Sequence, residues 1–362
     1  MPDGPETRAG WAKRASARLE VLLFAAGCAF LAVLLARMGV EPVERAFRLA
    51  GIGLPLVLLP QAAVAAAATL SWRAAIDRGR RGAVPFPRLA AAWLAGDALN
   101  YAVPAGTLGG EPTKARLISP AVGTEAAVAS VAVARLTEIL ALLAFGILGA
   151  LALAPALGRD PAAEGALAAG LAAVAVAGGG IFALGRRAPG TRAVGIVERL
   201  GLPGARVARL RAFAAGLDAH LRRFLERDGR GLAASTAWRL LAWLLNVVEL
   251  WVVLRLLGLR ASVGTLLGIE GLAALFNAVF FFVPARAGSA EGGRVLIFTL
   301  AGHRPEDGLA VAVLRRLRET VWVAVGLALL GVLAWRARAA ARSEAPVEPE
   351  PRPALDLGTV GA

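Results

Sequence analysis

Residues 97–114 read DALNYAVPAGTLGGEPTK and interrupt an otherwise apolar stretch with proline, glycine and charged side chains. Residues 277–294 read NAVFFFVPARAGSAEGGR and place similar residue types at the same spacing. When Pro104 is aligned with Pro284, the Asp/Asn, Glu and Lys/Arg positions of the two segments coincide. A repeat that keeps charges inside hydrophobic sequence predicts two related halves that close around one polar site in a membrane.

The duplicated pattern continues past each glycine-rich bend. A first arginine also coincides in the two copies, and the last glutamate is displaced by one residue. Arg286 has no basic counterpart in the first copy and lies beside the second bend. The candidate substrate-binding residues are Asp97, Glu111, Lys114, Arg135 and Glu138 in the first copy, and Asn277, Arg286, Glu291, Arg294, Arg315 and Glu319 in the second.

Composition places this pattern in a lipid environment. Hydrophobic residues make up 57% of the 362 residues, and the mean hydropathy is +0.64. Residues 49–72, 139–158 and 165–185 contain no charged side chain, and about 20 apolar residues suffice to span a bilayer as a helix. The sequence therefore predicts an all-α, polytopic membrane helical bundle.

The predicted bundle has about six transmembrane helices and two re-entrant hairpins. A polar segment (1–18) precedes an integral membrane domain (19–335), and a disordered tail (336–362) follows it. The domain contains repeat one (about 89–157), a basic amphipathic loop (186–230) and repeat two (about 264–335). The predicted spans cover residues 19–37, 49–72, 126–157, 163–185, 238–257 and 309–335.

The net charge of +14 is distributed unevenly. Arginines are concentrated in residues 73–88 and 186–230. The other loops between the predicted spans are short and contain charges of both signs. This positive-inside bias places both termini and both basic loops in the cytoplasm, and argues against nucleic acid as the partner.

Residues 186–230 also show apolar side chains at helical spacing. They predict either a helix along the lipid headgroups or a solvated connector.

The orientation of the spans gives the repeat a direction. The helix that carries Arg135 would run outward from the cytoplasm, and the helix that carries Arg315 would run inward. The two copies are then inverted and related by a pseudo-twofold axis in the membrane plane. Inverted repeats with broken helices near mid-membrane are typical of secondary transporters.

The buried charges have a structural and a functional interpretation, and both remain open. Arg135 and Glu138 are i,i+3 neighbours on a helix, as are Arg316 and Glu319. Such pairs can simply neutralise each other, or they can also line a substrate route. Glu111 and Glu291 follow glycine-rich bends, where the dipole of a restarting helix stabilises a carboxylate.

The unmatched acids also allow two interpretations. Asp97 faces the uncharged Asn277 in the alignment, so it could take up a proton and couple transport to a proton gradient. It could equally pair with Lys114 or Arg135. Glu249 and Glu270 have no counterpart in the repeat and would pack with Arg255 or Arg239.

Several segments carry a resemblance to a known family. Residues 109–118 (GGEPTKARLI) and 133–138 (VARLTE), with residues 282–293 (FVPARAGSAEGG) and 314–319 (LRRLRE), resemble the transmembrane domain of lysylphosphatidylglycerol synthases. Residues 249–251 (ELW) look most like the branch of this flippase-like family that is found with hopanoid biosynthesis.

The resemblance implies translocation of a polar or isoprenoid-type lipid between leaflets of a bacterial inner membrane. It does not imply lipid synthesis, because the synthases carry a large soluble domain after the membrane part and the resemblance is to the membrane part alone. No enzymatic activity is therefore expected. Alternatives are an integral-membrane enzyme that modifies lipid headgroups and a scaffold for lipid-biosynthesis enzymes. We expect a membrane lipid as substrate, no cofactor and no metal, and we leave open a homo-oligomer and partner enzymes.

Overall fold

The computed structural model describes residues 41–102, 110–157, 204–280 and 288–343, together with isolated positions between 165 and 195. Within these ranges the chain is helical without a β-strand, which confirms the predicted all-α fold class. The α-helices are α1 (Glu41–Ala75), α2 (Phe86–Ala102), α3 (Glu111–Val122), α4 (Thr124–Leu157), α5 (Gly204–Arg227), α6 (Gly229–Leu256), α7 (Val263–Val279), α8 (Ser289–Leu300) and α9 (Pro305–Ser343).

Four of the described helices are long and apolar enough to cross a membrane. The candidate spans are Pro55–Ala75, Thr124–Leu153, Gly229–Leu256 and Pro305–Arg336, which confirms four of the six predicted spans. The predicted span 19–37 lies outside the described residues, and so does most of the span 163–185.

The outer surface of these helices is strongly apolar. Leu59, Leu151 and Trp335 are 64%, 68% and 68% exposed. A water-soluble protein would not leave such large side chains in rows on its surface, whereas lipid tails solvate them. The exposed leucines therefore agree with a multi-pass membrane protein.

Each predicted hairpin contains a pair of helices that pack side by side. Helices α2 and α3 form the first pair, and α7 and α8 form the second. The 12 residues of α3 rise only about 18 Å, which is too short to cross a hydrocarbon layer of about 30 Å. The bends themselves (103–109 and 281–287), with Pro104, Pro284 and Arg286, lie outside the described residues.

Close backbone contact holds the first hairpin together. A Cβ atom added to Gly110 would lie 1.7 Å from the carbonyl oxygen of Gly96, so neither position has room for a larger residue. The Gly110 amide donates a hydrogen bond of 2.7 Å to the Asn100 side-chain oxygen. The glycines and the asparagine thus fix the start of α3 against α2.

The helix contacts repeat between the two halves. Helices α1 and α6 share the most extensive interface, and α4 packs against α7 as α9 packs against α2. Helices α3 and α8 each contact the long helix that follows them, and α6 contacts α4 as α1 contacts α9. With α1–α4 as the first half and α6–α9 as the second, the interfaces recur with the partners exchanged, as a pseudo-twofold relation between the halves requires. Helix α5, which packs on α4 and α6, has no counterpart.

Two apolar cores lie on either side of a polar layer. The α2 core contains Leu89, Ile118 and Ala127, and the α7 core contains Phe145 and Ile269. The long helices α1 and α4 pass from one core to the other. On α4, Val133 belongs to the α2 core and Leu142 to the α7 core, with Arg135 and Glu138 between them. On α1, Gln61 lies between Val57 and Ala65 in the same way.

Two segments differ from the sequence-based expectation. The basic loop forms helix α5, but Leu221 and Phe224 from its apolar stripe pack into the α2 core rather than into lipid. The end of α4 offers them an apolar surface, which periodicity cannot distinguish from a bilayer. Helix α9 also continues to Ser343, past the predicted start of the tail at residue 336.

Candidate functional site

A first salt-bridge network joins the hairpin of the first half to α4 and α6. Its members alternate in sign in the order Lys114, Glu111, Arg135, Glu138 and Arg239. Lys114 Nζ lies 3.1 Å from Glu111 Oε1, and Arg135 donates to the same oxygen. Arg135 also donates to Glu138 over 2.7 Å, and Arg239 donates to the other oxygen of Glu138. Since α6 belongs to the second half, the contact of Arg239 with Glu138 connects the halves.

Glu111 is the anchor of this network. It is the first residue of α3, where the helix dipole favours a carboxylate. The Asn100 amide donates a hydrogen bond of 3.2 Å to Glu111, besides the contacts from Lys114 and Arg135. The predicted position of Glu111 at a restarting helix is confirmed.

A second salt-bridge network runs through the other half and is buried more deeply. Glu270 accepts hydrogen bonds from Arg294 over 3.0 Å and from Arg315 over 2.9 Å. Arg315 also lies 3.6 Å from Glu249, which accepts from Arg318. The Glu249 side chain is fully buried, and the side chains of Glu270 and Arg318 are 5% and 7% exposed.

The second network continues along α9 to the other hairpin. Arg318 lies 3.8 Å from Glu319, and Glu319 accepts from Arg316 over 3.4 Å. Arg316 also donates to Glu291 over 2.6 Å, and Glu291 lies near the start of α8. The network therefore ties α6, α7, α8 and α9 into one body.

The salt bridges show which residues of the two copies are structurally equivalent, and one pair differs from the sequence alignment. Arg135 binds Glu111 and Glu138, and Arg316 binds their counterparts Glu291 and Glu319. Arg316, rather than the aligned Arg315, is thus the structural equivalent of Arg135. This also explains why the last glutamate is displaced by one residue in the alignment.

The expected partners of two unmatched acids were wrong. Glu249 and Glu270 bind arginines of α8 and α9 instead of Arg255 or Arg239. Arg255 instead lies over the ring of Trp251. The repeat could not indicate either acid, because the first half has no arginine at the position equivalent to Arg315.

Asp97 stands apart from both networks. Its carboxylate makes no hydrogen bond or ion pair with any described residue, so it does not pair with Lys114 or Arg135. These two cations and Arg239 nevertheless lie within electrostatic range of it. Its counterpart Asn277 is half-buried on α7, and Arg286 lies outside the described residues.

A narrow cleft opens where the halves meet, between α1, α2 and α9. It brings Asp97 of the first copy close to Glu319 of the second, beside side chains that the repeat did not indicate. One signal was available: Gln61 is the one amide side chain in an uncharged predicted span (49–72). The polar and aromatic residues that line the cleft are Gln61, Asp97, Tyr101, Arg318, Glu319 and Trp322.

The networks have a structural role whatever else they do. A buried charge whose partner is removed costs about 3–5 kcal/mol, and each interior cation of the two networks lies against a carboxylate. In the part of the chain that the structure describes, no group of three or more His, Cys, Asp or Glu side chains could hold a metal ion. The arrangement places polar side chains from both halves around one cleft.

Comparison with known proteins adds one match. No curated protein and no solved structure is similar enough to this chain to match it. The sequence pattern of a family described as "Lysylphosphatidylglycerol synthase TM region" matches residues 19–327, which cover both halves and both networks. The chain is therefore a multi-pass membrane protein with a lipid-related function, and it belongs to the lysylphosphatidylglycerol synthase TM region family.

Proposed function

We propose that this protein translocates a polar or isoprenoid-type lipid between the two leaflets of a bacterial inner membrane. The observation that carries the proposal is the cleft, which lies between the halves and is lined by charged residues from both repeats. In this proposal the protein is a transporter rather than an enzyme, and both termini lie in the cytoplasm.

Translocation requires a polar route through the hydrocarbon layer. A bare headgroup loses its hydration there, and each unsatisfied polar group costs several kcal/mol. The polar layer between the α2 core and the α7 core would replace that hydration. Because the charges along it are already paired, the layer can exist in lipid without a bound substrate.

The contact between Arg239 and Glu138 is the salt bridge that would change if the two halves moved relative to each other. It is a salt bridge between α6 of the second half and α4 of the first. If one half rocks against the other, as in transporters with inverted repeats, this contact must loosen while the contacts within each half persist. The substrate would then pass from one side of the interface to the other.

The test is a leaflet-resolved assay in proteoliposomes with tail-labelled lipids that carry anionic, zwitterionic and neutral headgroups. Wild-type protein should move at least one of them across the bilayer. Asp97→Asn removes a cleft charge without breaking a salt bridge and should slow this movement about tenfold or more. Leu59→Ala, on the lipid-facing surface of α1, is the matched control and should keep the wild-type rate.

Two results would reject the proposal. If the protein chemically alters a lipid and leaves it in its leaflet, it is a membrane enzyme. If it moves no lipid and co-purifies with lipid-synthesis enzymes, it is a scaffold.

A further inference from the structure

Three polar groups in the cleft have unused hydrogen-bonding capacity. Gln61 Oε1 is buried and receives no hydrogen bond from the described residues, and the buried Trp322 Nε1 finds no acceptor among them. The Asp97 carboxylate is the third group. Buried polar atoms in native proteins nearly always have partners, so Gln61 Oε1 and Trp322 Nε1, with the half-buried Asp97 carboxylate beside them, indicate a ligand that donates and accepts hydrogen bonds.

The surrounding charges are balanced. The first network contains three cations and two carboxylates, and the adjacent Asp97 supplies a third carboxylate. The second network contains four cations and four carboxylates. The described walls of the cleft therefore have no excess charge with which to bind an ionic headgroup.

Each kind of ion also meets a specific obstacle. An anionic headgroup would approach Asp97 and Glu319, and Arg318, the cation that lines the cleft, is already bound to Glu249. A cationic headgroup at Asp97 would face Lys114, Arg135 and Arg239, which lie within electrostatic range. An uncharged polar headgroup meets neither obstacle.

Among the described residues, the cleft lies at one of two equivalent interfaces. At the interface of α4 with α7, a Cβ atom added to Gly149 would lie 2.7 Å from the Cα atom of Gly271, so the helices touch through their backbones. The matching interface of α2 with α9 is also close at Gly326, where an added Cβ atom would clash with the carbonyl oxygen of Leu94. The cleft lies beside this contact, with Leu94 and Val323 next to its polar groups. An amphiphile could place its headgroup in the cleft and its chains along these apolar side chains.

We propose that the cleft between α1, α2 and α9 binds an uncharged, hydroxyl-rich lipid headgroup, either a polyol or a glycosyl group. The proposal rests on the lipid translocation proposed above and names the substrate class. Hydroxyl groups of the ligand donate to Asp97 and Gln61, and one ligand oxygen accepts from Trp322 Nε1. The aromatic rings of Trp322 and Tyr101 provide flat apolar surfaces for the carbon side of the headgroup.

The test is equilibrium binding of three lipids that share two octanoyl chains and differ only in the headgroup. These headgroups are glucosyl, phosphoglycerol and trimethylammonium. Titration calorimetry on the full chain uses a neutral detergent without a sugar, because a glycosidic detergent presents the same hydroxyl groups. We expect the glucosyl lipid to bind at least about tenfold more tightly than either charged lipid, a difference of about 1.4 kcal/mol.

Matched variants locate the binding. Trp322→Phe and Gln61→Leu should each weaken binding of the glucosyl lipid about three- to tenfold, because each removes one hydrogen bond. Trp243→Phe is the control. Trp243 Nε1 is likewise buried without an acceptor among the described residues, but Trp243 stacks on Phe145 at 5.8 Å and does not line the cleft. Its substitution should leave the affinity unchanged.

The outcomes separate this inference from the proposed function. Equal or tighter binding of a charged lipid overturns the headgroup assignment, and so does equal weakening by Trp322→Phe and Trp243→Phe. The binding assay involves no second leaflet, so it does not depend on transport. Selective binding without lipid movement rejects translocation alone, and movement of charged lipids without glucosyl binding rejects the headgroup assignment alone.

Discussion

The most deeply buried charge of the salt-bridge networks, Glu249, makes their structural role measurable. Glu249 has no exposed surface and neutralises Arg318, with Arg315 nearby. Glu249→Gln keeps the shape of the side chain but leaves Arg318 with only a distant carboxylate at 3.8 Å. The free energy of unfolding should fall by about 3 kcal/mol, which denaturant unfolding in a fixed detergent can measure.

A surface pair provides the control for that experiment. Glu306 and Arg304 are 3.2 Å apart, and the Arg304 side chain is 75% exposed. Because water screens such a pair, Glu306→Gln should cost less than about 1 kcal/mol. If both substitutions cost the same, the buried network does not stabilise the fold, and its charges must be kept for another reason.

The sequence predicted which charges lie in the interior, but not which of two neighbouring residues makes a given contact. Spacing identified Glu111, Glu138 and Glu291 as interior charges, and the structure brings each of them into a salt bridge. Spacing could not choose between Arg315 and Arg316, because one residue along a helix turns the side chain by about 100°. Only the packing of α9 shows which arginine faces which acid.

At the level of elements, the prediction succeeded where local composition determines the result. Apolar runs marked the long helices, and proline and glycine occur in the segments between α2 and α3 and between α7 and α8. It failed for the apolar stripe of α5, because a stripe fits lipid and protein equally well. It also missed the contact of Gly149 with Gly271, since a glycine in the sequence does not reveal which helix will approach it.

That glycine contact leads to a prediction about helix packing. Gly149 and Gly331 both lie inside long helices, so alanine improves helix propensity at both positions by up to about 1 kcal/mol. A Cβ atom at Gly149 would lie 2.7 Å from Gly271, whereas at Gly331 it would meet nothing within 4 Å. Overpacking typically costs about 1–3 kcal/mol.

We therefore expect Gly149→Ala to lower the thermal midpoint in detergent and Gly331→Ala to leave it unchanged or raise it slightly. The two substitutions make the same chemical change, so their difference reports the contact between α4 and α7. A stabilised Gly149→Ala protein would show that this interface has room for a methyl group.

At the scale of the whole molecule, the α4–α7 and α2–α9 interfaces are equivalent by the repeat but differ in one feature. Glycine brings the backbones close at both interfaces, at Gly149 between α4 and α7 and at Gly326 between α2 and α9, but the α2–α9 interface also carries the cleft between the two salt-bridge networks. In the proposed translocation, a lipid from the bilayer would therefore reach the polar layer at the cleft, and the α4–α7 contact would stay fixed.

Cross-linking can distinguish these two interfaces. In a Cys28→Ser background, which removes the single native cysteine, Leu94→Cys and Val323→Cys place thiols on opposite walls of the cleft. A short bis-maleimide that joins them should reduce lipid movement at least about tenfold. Ala152→Cys with Gly264→Cys joins the α4–α7 interface, where a Cβ atom at Gly264 would lie 3.4 Å from the carbonyl oxygen of Ala152, and should leave movement near the level of the uncross-linked protein. Equal inhibition by both cross-links would mean that both interfaces open during transport, and inhibition by the second alone would place the moving side at α4 and α7.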